Sequence, residues 1–152
     1  MTSYICINGK KAELTEEQMK ALGIELPKAN PFARVQKGEN YYIIDSLGCI
    51  ADCVDDYDDV DTQSYSIANY CTDKTIMEQR ALHEILNRLL WRYSMENGGE
   101  GNYEVAHNGE KFIVQNAIYK YLGQTFSTYK VAEAAIKEIV EPFMKAHPYF
   151  KF

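Results

Sequence analysis

The chain has 152 residues, 46% of them hydrophobic, with 16 basic and 22 acidic side chains for a net charge of −6. That length suits one domain with a sizeable core, since about 70% of the unfolded surface is buried at this size, and the composition excludes wholesale disorder. No apolar run approaches the roughly 20 residues of a bilayer-spanning helix, and Met1-Thr2-Ser3-Tyr4 lacks the basic start of a signal peptide, so a cytoplasmic protein is expected.

Tyr4-Ile5-Cys6-Ile7 reads as a short strand closed by the turn signal Asn8-Gly9. Residues 14–23 follow as a short helix. Thr15 offers an N-cap oxygen, Gln18 stands three residues on, and Gly23 suits a left-handed C-terminal position. Pro27 and Asn30-Pro31 mark a loop. Residues 41–44 and 49–54 predict a hairpin across Asp45-Ser46-Leu47-Gly48, with an aspartate-rich loop after it. The strongest element covers 72–97, with Thr75-Ile76-Met77-Glu78 as a candidate capping box and Gly98-Gly99 as its end. Residues 103–107 and 111–115, parted by Asn108-Gly109, predict a second hairpin. A third strand is expected over 119–126. Ser127 or Thr128 then caps a last helix that buries Val131, Ala135, Ile136, Ile139 and Val140. Pro142 should bend or end that helix, ahead of the aromatic tail Tyr149, Phe150 and Phe152. The expected class is α+β: antiparallel hairpins with one long central helix and a C-terminal helix packed on it, in a single domain over 1–152.

The negative charge is concentrated. Asp45, Asp52, Asp55, Asp56, Asp58, Asp59 and Asp61 share a stretch without Lys or Arg, and the rest of the chain is nearly balanced. A basic field for direct nucleic-acid binding is therefore not expected. The stretch reads either as solvated surface or, through Asp55, Asp56, Asp58, Asp59 and Asp61, as a phosphate mimic set against a basic partner. Cys6, Cys49, Cys53 and Cys71 form no CxxC pair, so reduced thiols are expected. Cys6 and Cys49 fall in strand-like runs, where a thiol behaves as a small hydrophobe. Neither His83 nor His107 shows ligand spacing with them. No metal and no cofactor is expected.

On a helical projection of 72–97, Leu82, Ile85, Leu86, Leu89, Leu90 and Tyr93 share the face that should dock on the sheet. Arg80, Glu84, Asn87, Arg88 and Trp91 fall opposite, with Met77 and Met95 flanking and Arg92 at the edge. Trp91 is the only tryptophan, and Trp beside Arg is a favoured anchor pair at binding surfaces. Arg80, Asn87, Arg88, Trp91 and Arg92 are thus candidate ligand-binding residues, the indole stacking on a base while guanidinium forks grip phosphate oxygens. The competing reading puts Trp91 under the C-terminal aromatics or in an interface between copies, with Arg80 and Glu84 as a plain ion pair.

Catalytic motifs are missing. There is no phosphate loop of the GxxxxGKS type, no GxSxG elbow and no HExxH helix. The Asp56-Tyr57-Asp58 and Asp59-Val60-Asp61 carboxylates lack the glycine and terminal glutamate of a calcium loop. His83 reads as a solvated helix residue, His107 as part of a turn, and the chain as a non-enzyme.

Three stretches look familiar: Leu14-Thr15-Glu16-Glu17-Gln18; Asn30-Pro31-Phe32-Ala33-Arg34-Val35 leading to Gly38-Glu39-Asn40-Tyr41-Tyr42-Ile43; and Asn69-Tyr70-Cys71-Thr72-Asp73-Lys74 running to Glu96-Asn97-Gly98-Gly99. Together with the ending over 121–139, the chain resembles small proteins encoded by phages, prophages and mobile elements of anaerobic gut bacteria. That resemblance carries no catalytic or ligand motif. It implies a counter-defence protein, and the Trp and Arg residues of the long helix then favour one that sequesters a nucleotide-type host immune signal, such as a cyclic nucleotide or ADP-ribose derivative, in a pocket between copies of a homo-oligomer. The alternatives are an acidic inhibitor of a host defence protein such as a CRISPR nuclease, acting by nucleic-acid mimicry, and a hydrolase of the same signal. None of these readings needs a membrane.

Overall fold

The computed structural model of this chain describes residues 4–7, 10–22, 30–117 and 124–151, which fall into two compact units, 1–33 and 34–152. In the first, β1 (Tyr4–Ile7) pairs antiparallel with β2 (Lys10–Glu13), Ile7 opposite Lys10. β2 carries no strand signal, since Lys10-Lys11-Ala12-Glu13 has a single apolar residue and is held by pairing rather than propensity. α1 (Glu16–Ala21) starts with the expected capping box. The Gln18 N–H donates to Thr15 Oγ1 at 3.3 Å and the Thr15 N–H to Gln18 Oε1 at 2.9 Å. The Asn30 side chain then accepts from the Phe32 N–H at 3.0 Å, turning the chain at Asn30-Pro31. Asn8-Gly9, Gly23 and Pro27 lie outside the described residues.

The second unit opens with the expected hairpin, β3 (Asn40–Ile44) against β4 (Ile50–Val54), Tyr41 facing Cys53. Its turn is set by Asp45, whose Oδ1 accepts from the Leu47 and Cys49 N–H groups at 2.9 and 2.8 Å, and by Gly48 at φ +86°. Cys49 stands just before β4 and is exposed; the buried thiol is Cys71, which bridges to Tyr42 across the backbone. Cys6 lies in β1.

The aspartate-rich stretch is only partly a loop. Asp58 caps α2 (Asp59–Ser66), accepting from the Asp61 N–H at 2.9 Å while the Asp61 carboxylate accepts from the Asp58 N–H at 3.4 Å. Acidic side chains at a helix start satisfy free N–H groups and complement the helix dipole, so aspartates that read as solvated loop nucleate a helix here.

α3 (Lys74–Glu96) is the spine of this unit. Its cap is Asp73, whose Oδ1 accepts from Thr75 and Ile76 N–H groups, so Thr75 already sits inside the first turn and is not the cap. Its N-terminal half packs Met77 and Ala81 on Ile44 and Cys71 of the hairpin region. Met77 is fully buried there rather than flanking the exposed side. The C-terminal half packs Leu86 and Leu90 into a second cluster with Phe126, Ala132, Ala135, Val140, Phe143 and Phe150.

β5 (Tyr103–His107) and β6 (Phe112–Asn116) form the second hairpin, and β7 (Thr125–Phe126) joins the other edge of β5, giving the order β6-β5-β7. Residues 119–123 of the expected third strand lie outside the described residues. Gly101 passes so close to β7 that a Cβ there would run into the Phe126 carbonyl oxygen and the Ser127 backbone. Thr128 caps α4 (Tyr129–Ala135), its Oγ1 accepting from the Val131 N–H at 3.2 Å. The helix does not end at Pro142 but continues through it with a change of winding. A π-helical turn over Ile136–Val140 leads directly into α5 (Glu141–Ala146). Proline has no N–H and crowds the carbonyl four residues before it, and the wider turn makes room for the ring.

The tail then folds back on α3. Gln79 Nε2 donates to the Tyr149 carbonyl at 2.9 Å, the Lys151 N–H donates to Gln79 Oε1 at 2.7 Å, and the His83 ring stacks edge-on to Phe150 at 4.6 Å. His83 is thus a half-buried anchor for the tail instead of a solvated residue. The protein is α+β, with antiparallel hairpins, a long central helix and a C-terminal helix packed on it. No described helix is long and apolar enough to cross a membrane.

Candidate functional site

The outer side of α3 carries the candidate ligand residues, and the structure separates them into two groups. Asn87, Arg88, Trp91, Arg92 and Met95 are exposed, Trp91 at 50% and Met95 at 52%. At about 100° per residue, Arg88 lies about 60° from Trp91 and Arg92 about 100°, both on the same side of the indole. Trp91 is not covered by the tail, which is tied at Gln79 and His83, two and more turns earlier on α3.

Arg80 belongs to the second group. It pairs with Glu84 at 3.1 Å and donates to the Ala68 carbonyl, which fastens α3 to the chain after α2. Glu84 also meets Arg88, at the longer distance of 3.6 Å. A cleft of about 250 Å³ lies between these side chains and Asp45, Ser46 and Asn69. Its two guanidinium groups are balanced by Glu84 and Asp45, so the cleft itself has little net charge. On this face Arg92 makes no ion pair among the described residues and Arg88 only the long one to Glu84, so both guanidinium groups keep donors for an anion.

The five acidic candidates also divide. Asp56, Asp58 and Asp59 are exposed, whereas Asp55 and Asp61 are buried and spent on internal bonds. Asp55 takes a two-pronged ion pair from Arg34, Nε to Oδ2 at 2.9 Å and Nη2 to Oδ1 at 3.1 Å, and a hydrogen bond from the Tyr70 hydroxyl at 2.9 Å. Asp61 accepts from the Tyr41 hydroxyl at 2.6 Å and the Asp56 N–H at 2.7 Å. The Tyr41 and Tyr70 rings stack 4.1 Å apart between the two carboxylates. Burying a carboxylate is costly unless it is paired or hydrogen-bonded; Asp55 has its ion pair, and Asp61 is held by hydrogen bonds from a hydroxyl and backbone N–H groups. With these bonds in place, Asp55 and Asp61 are not free surface carboxylates of the kind that charge mimicry needs. Nothing near Arg34 in the sequence announces this cluster, because its members come from 34, 41, 55, 61 and 70.

Titration follows from the geometry. The Arg34 fork holds the Asp55 carboxyl below the ordinary aspartate value of 3.8, and the Tyr41 hydroxyl does the same for Asp61. Burial, with Asp55 adding to it, pushes the Tyr70 hydroxyl up to about 12, and burial raises Tyr41 as well. Carboxyls depressed in the folded state stabilise it above their unfolded value, and that stability is lost as pH falls below about 4. Phenols raised in the folded state give stability that is lost as pH climbs above about 10. Chemical denaturation across pH should show a plateau between those limits, with the acid limb flattened in Asp55→Asn.

His107 accepts from the Gly109 N–H through Nδ1 at 3.2 Å within the β5–β6 turn. Among the described residues no three His, Cys, Asp or Glu side chains come together as a metal centre requires. Comparison with protein-family models, with curated proteins and with solved structures found no match to this chain.

Proposed function

We propose that this protein works by binding, as a phage-type counter-defence factor that sequesters a nucleotide-type small molecule on the outer face of α3. The observation that supports this most is the half-exposed Trp91, the chain's single tryptophan, with Arg88 and Arg92 exposed on the same side of it. A free indole face stacks on a base at about 1–3 kcal/mol per base, and guanidinium forks suit phosphate oxygens. In this reading Arg88, Trp91 and Arg92 hold the ligand, Asn87 adds a polar contact, and Arg80 positions the helix. A helix face is convex, so a second copy of the chain supplies the opposing wall.

Inhibition of a host defence protein by charge mimicry is less well supported, because only Asp56, Asp58 and Asp59 of the five acidic candidates face outward.

Native mass spectrometry, alone and with a panel of cyclic nucleotides and ADP-ribose derivatives, tests the proposal. A stoichiometric adduct of intact ligand on a defined oligomer is expected, weakened 10-fold or more in Trp91→Ala and in Arg88→Ala. That corresponds to about 1.4 kcal/mol for each factor of ten. No adduct across the panel, or one indifferent to both substitutions, would contradict it.

A further inference from the structure

The segment from Asp55 to Tyr70 forms a receptacle shaped for a guanidinium group, on residues other than the α3 face. Asp55 offers both carboxylate oxygens to the Arg34 fork, and Thr62 Oγ1 accepts from Arg34 Nη2 at 3.2 Å. The Tyr57 ring lies 4.4 Å from the guanidinium carbon and the Tyr65 ring 5.7 Å from it. A carboxylate presented edge-on, between ring faces, selects a planar fork over the compact charge of an ammonium.

Two features distinguish this arrangement from a core ion pair. Its aromatic walls open to solvent, Tyr57 being 50% and Tyr65 41% exposed. Asp55 also keeps two donors besides Arg34, the Tyr70 hydroxyl at 2.9 Å and the Tyr57 N–H at 2.9 Å, while the Tyr57 and Tyr70 hydroxyls bond the Val35 backbone rather than the Arg34 side chain, so these contacts do not need the guanidinium. Tyr57 achieves this at φ +64°, a left-handed conformation that is costly for a bulky side chain and that clusters at ligand clamps and switches. All the receiving side chains lie within 55–70, whereas Arg34 comes from a distant point in the sequence, the first residue of the second unit.

We infer that this cage is a guanidinium-binding site, filled here by the chain's own Arg34 and able to take a guanidinium supplied in trans. The ligand is a monosubstituted guanidinium, carried either by a small guanidino compound or by an arginine side chain of a partner. Arg34 competes as a tethered ligand with an effective concentration on the order of millimolar, so the site shows itself most clearly when Arg34 is removed. The inference does not depend on the α3 reading.

Thermal melts of full-length Arg34→Ala and Arg34→Gln, titrated with methylguanidinium or with an acetylated, amidated Gly-Arg-Gly peptide, test it. Arg34→Gln keeps a donor for Asp55 and guards against a failure of the alanine variant to fold. The expected result is a saturable rise in Tm, or in folded fraction, that is much larger than in the unsubstituted protein. It should be absent with methylammonium and lost when Asp55→Asn is added. Tighter action of methylguanidinium would identify a small-molecule source, and tighter action of the peptide a partner arginine. The inference is overturned if neither probe stabilises either variant saturably, or if stabilisation survives Asp55→Asn or is matched by methylammonium.

Discussion

Asp55→Ala is expected to destabilise the second unit by about 2–3 kcal/mol, because it removes a buried carboxylate and leaves the donors that it satisfies without an acceptor, while the partly exposed Arg34 regains water. The carboxylate is fully buried and receives the Arg34 fork, the Tyr70 hydroxyl and the Tyr57 N–H. Without it, the Tyr70 hydroxyl keeps only its role as acceptor from the Val35 N–H, at 3.0 Å, and the left-handed Tyr57 loses the bond that holds it. Urea denaturation followed by tyrosine near-ultraviolet dichroism measures the change. Asp59→Ala, on an exposed carboxylate of the same stretch, serves as the control and should shift stability by no more than about 0.5 kcal/mol. Equal effects of the two substitutions would mean that the cluster is not a structural keystone.

Phe126→Ala is expected to cost about 3–5 kcal/mol. The ring is fully buried where β7, α3 and the C-terminal helices meet, among Leu86, Leu90, Ala132, Val140 and Phe143. Gly101 already lies against the Phe126 carbonyl, so the backbone has little room to collapse into the void. Phe126→Leu fills much of the volume and should recover more than half of the loss. Calorimetry of the pair decides the matter, and a loss below about 1 kcal/mol for the alanine variant would show that the site relaxes freely.

Local signals account for most of the elements. The Thr15–Gln18 capping box, the Asp45 turn, the Asn108-Gly109 turn and the Thr128 cap are set by residues a few positions apart, and each stands where the sequence places it. The apolar periodicity of α3 likewise locates Leu86 and Leu90 in the core. The misreadings have one physical origin, which is that pairing across the fold overrides local character. β2 is polar yet pairs with β1, and Met77 lies on the projected outer side yet is covered by the β3–β4 hairpin region. Asp55 and Asp61 look like solvated charges until Arg34, Tyr41 and Tyr70 arrive from distant positions. In the candidate site, exposure of Trp91, Arg88 and Arg92 was readable from helical phase. The commitment of Arg80 to the Ala68 carbonyl was not, since it depends on where the chain runs after α2.

Because Trp91 is the chain's single tryptophan and lies half-exposed on the proposed face, its fluorescence reports on that face alone. The most direct measurement is a titration of that emission with the cyclic nucleotide and ADP-ribose panel. A saturable change with at least one ligand, at a stoichiometry fixed by the oligomer and greatly weakened in Arg88→Ala, is the predicted result. Emission that stays unchanged across the panel, or changes to the same extent in Arg88→Ala, would contradict binding of a nucleotide-type ligand on α3.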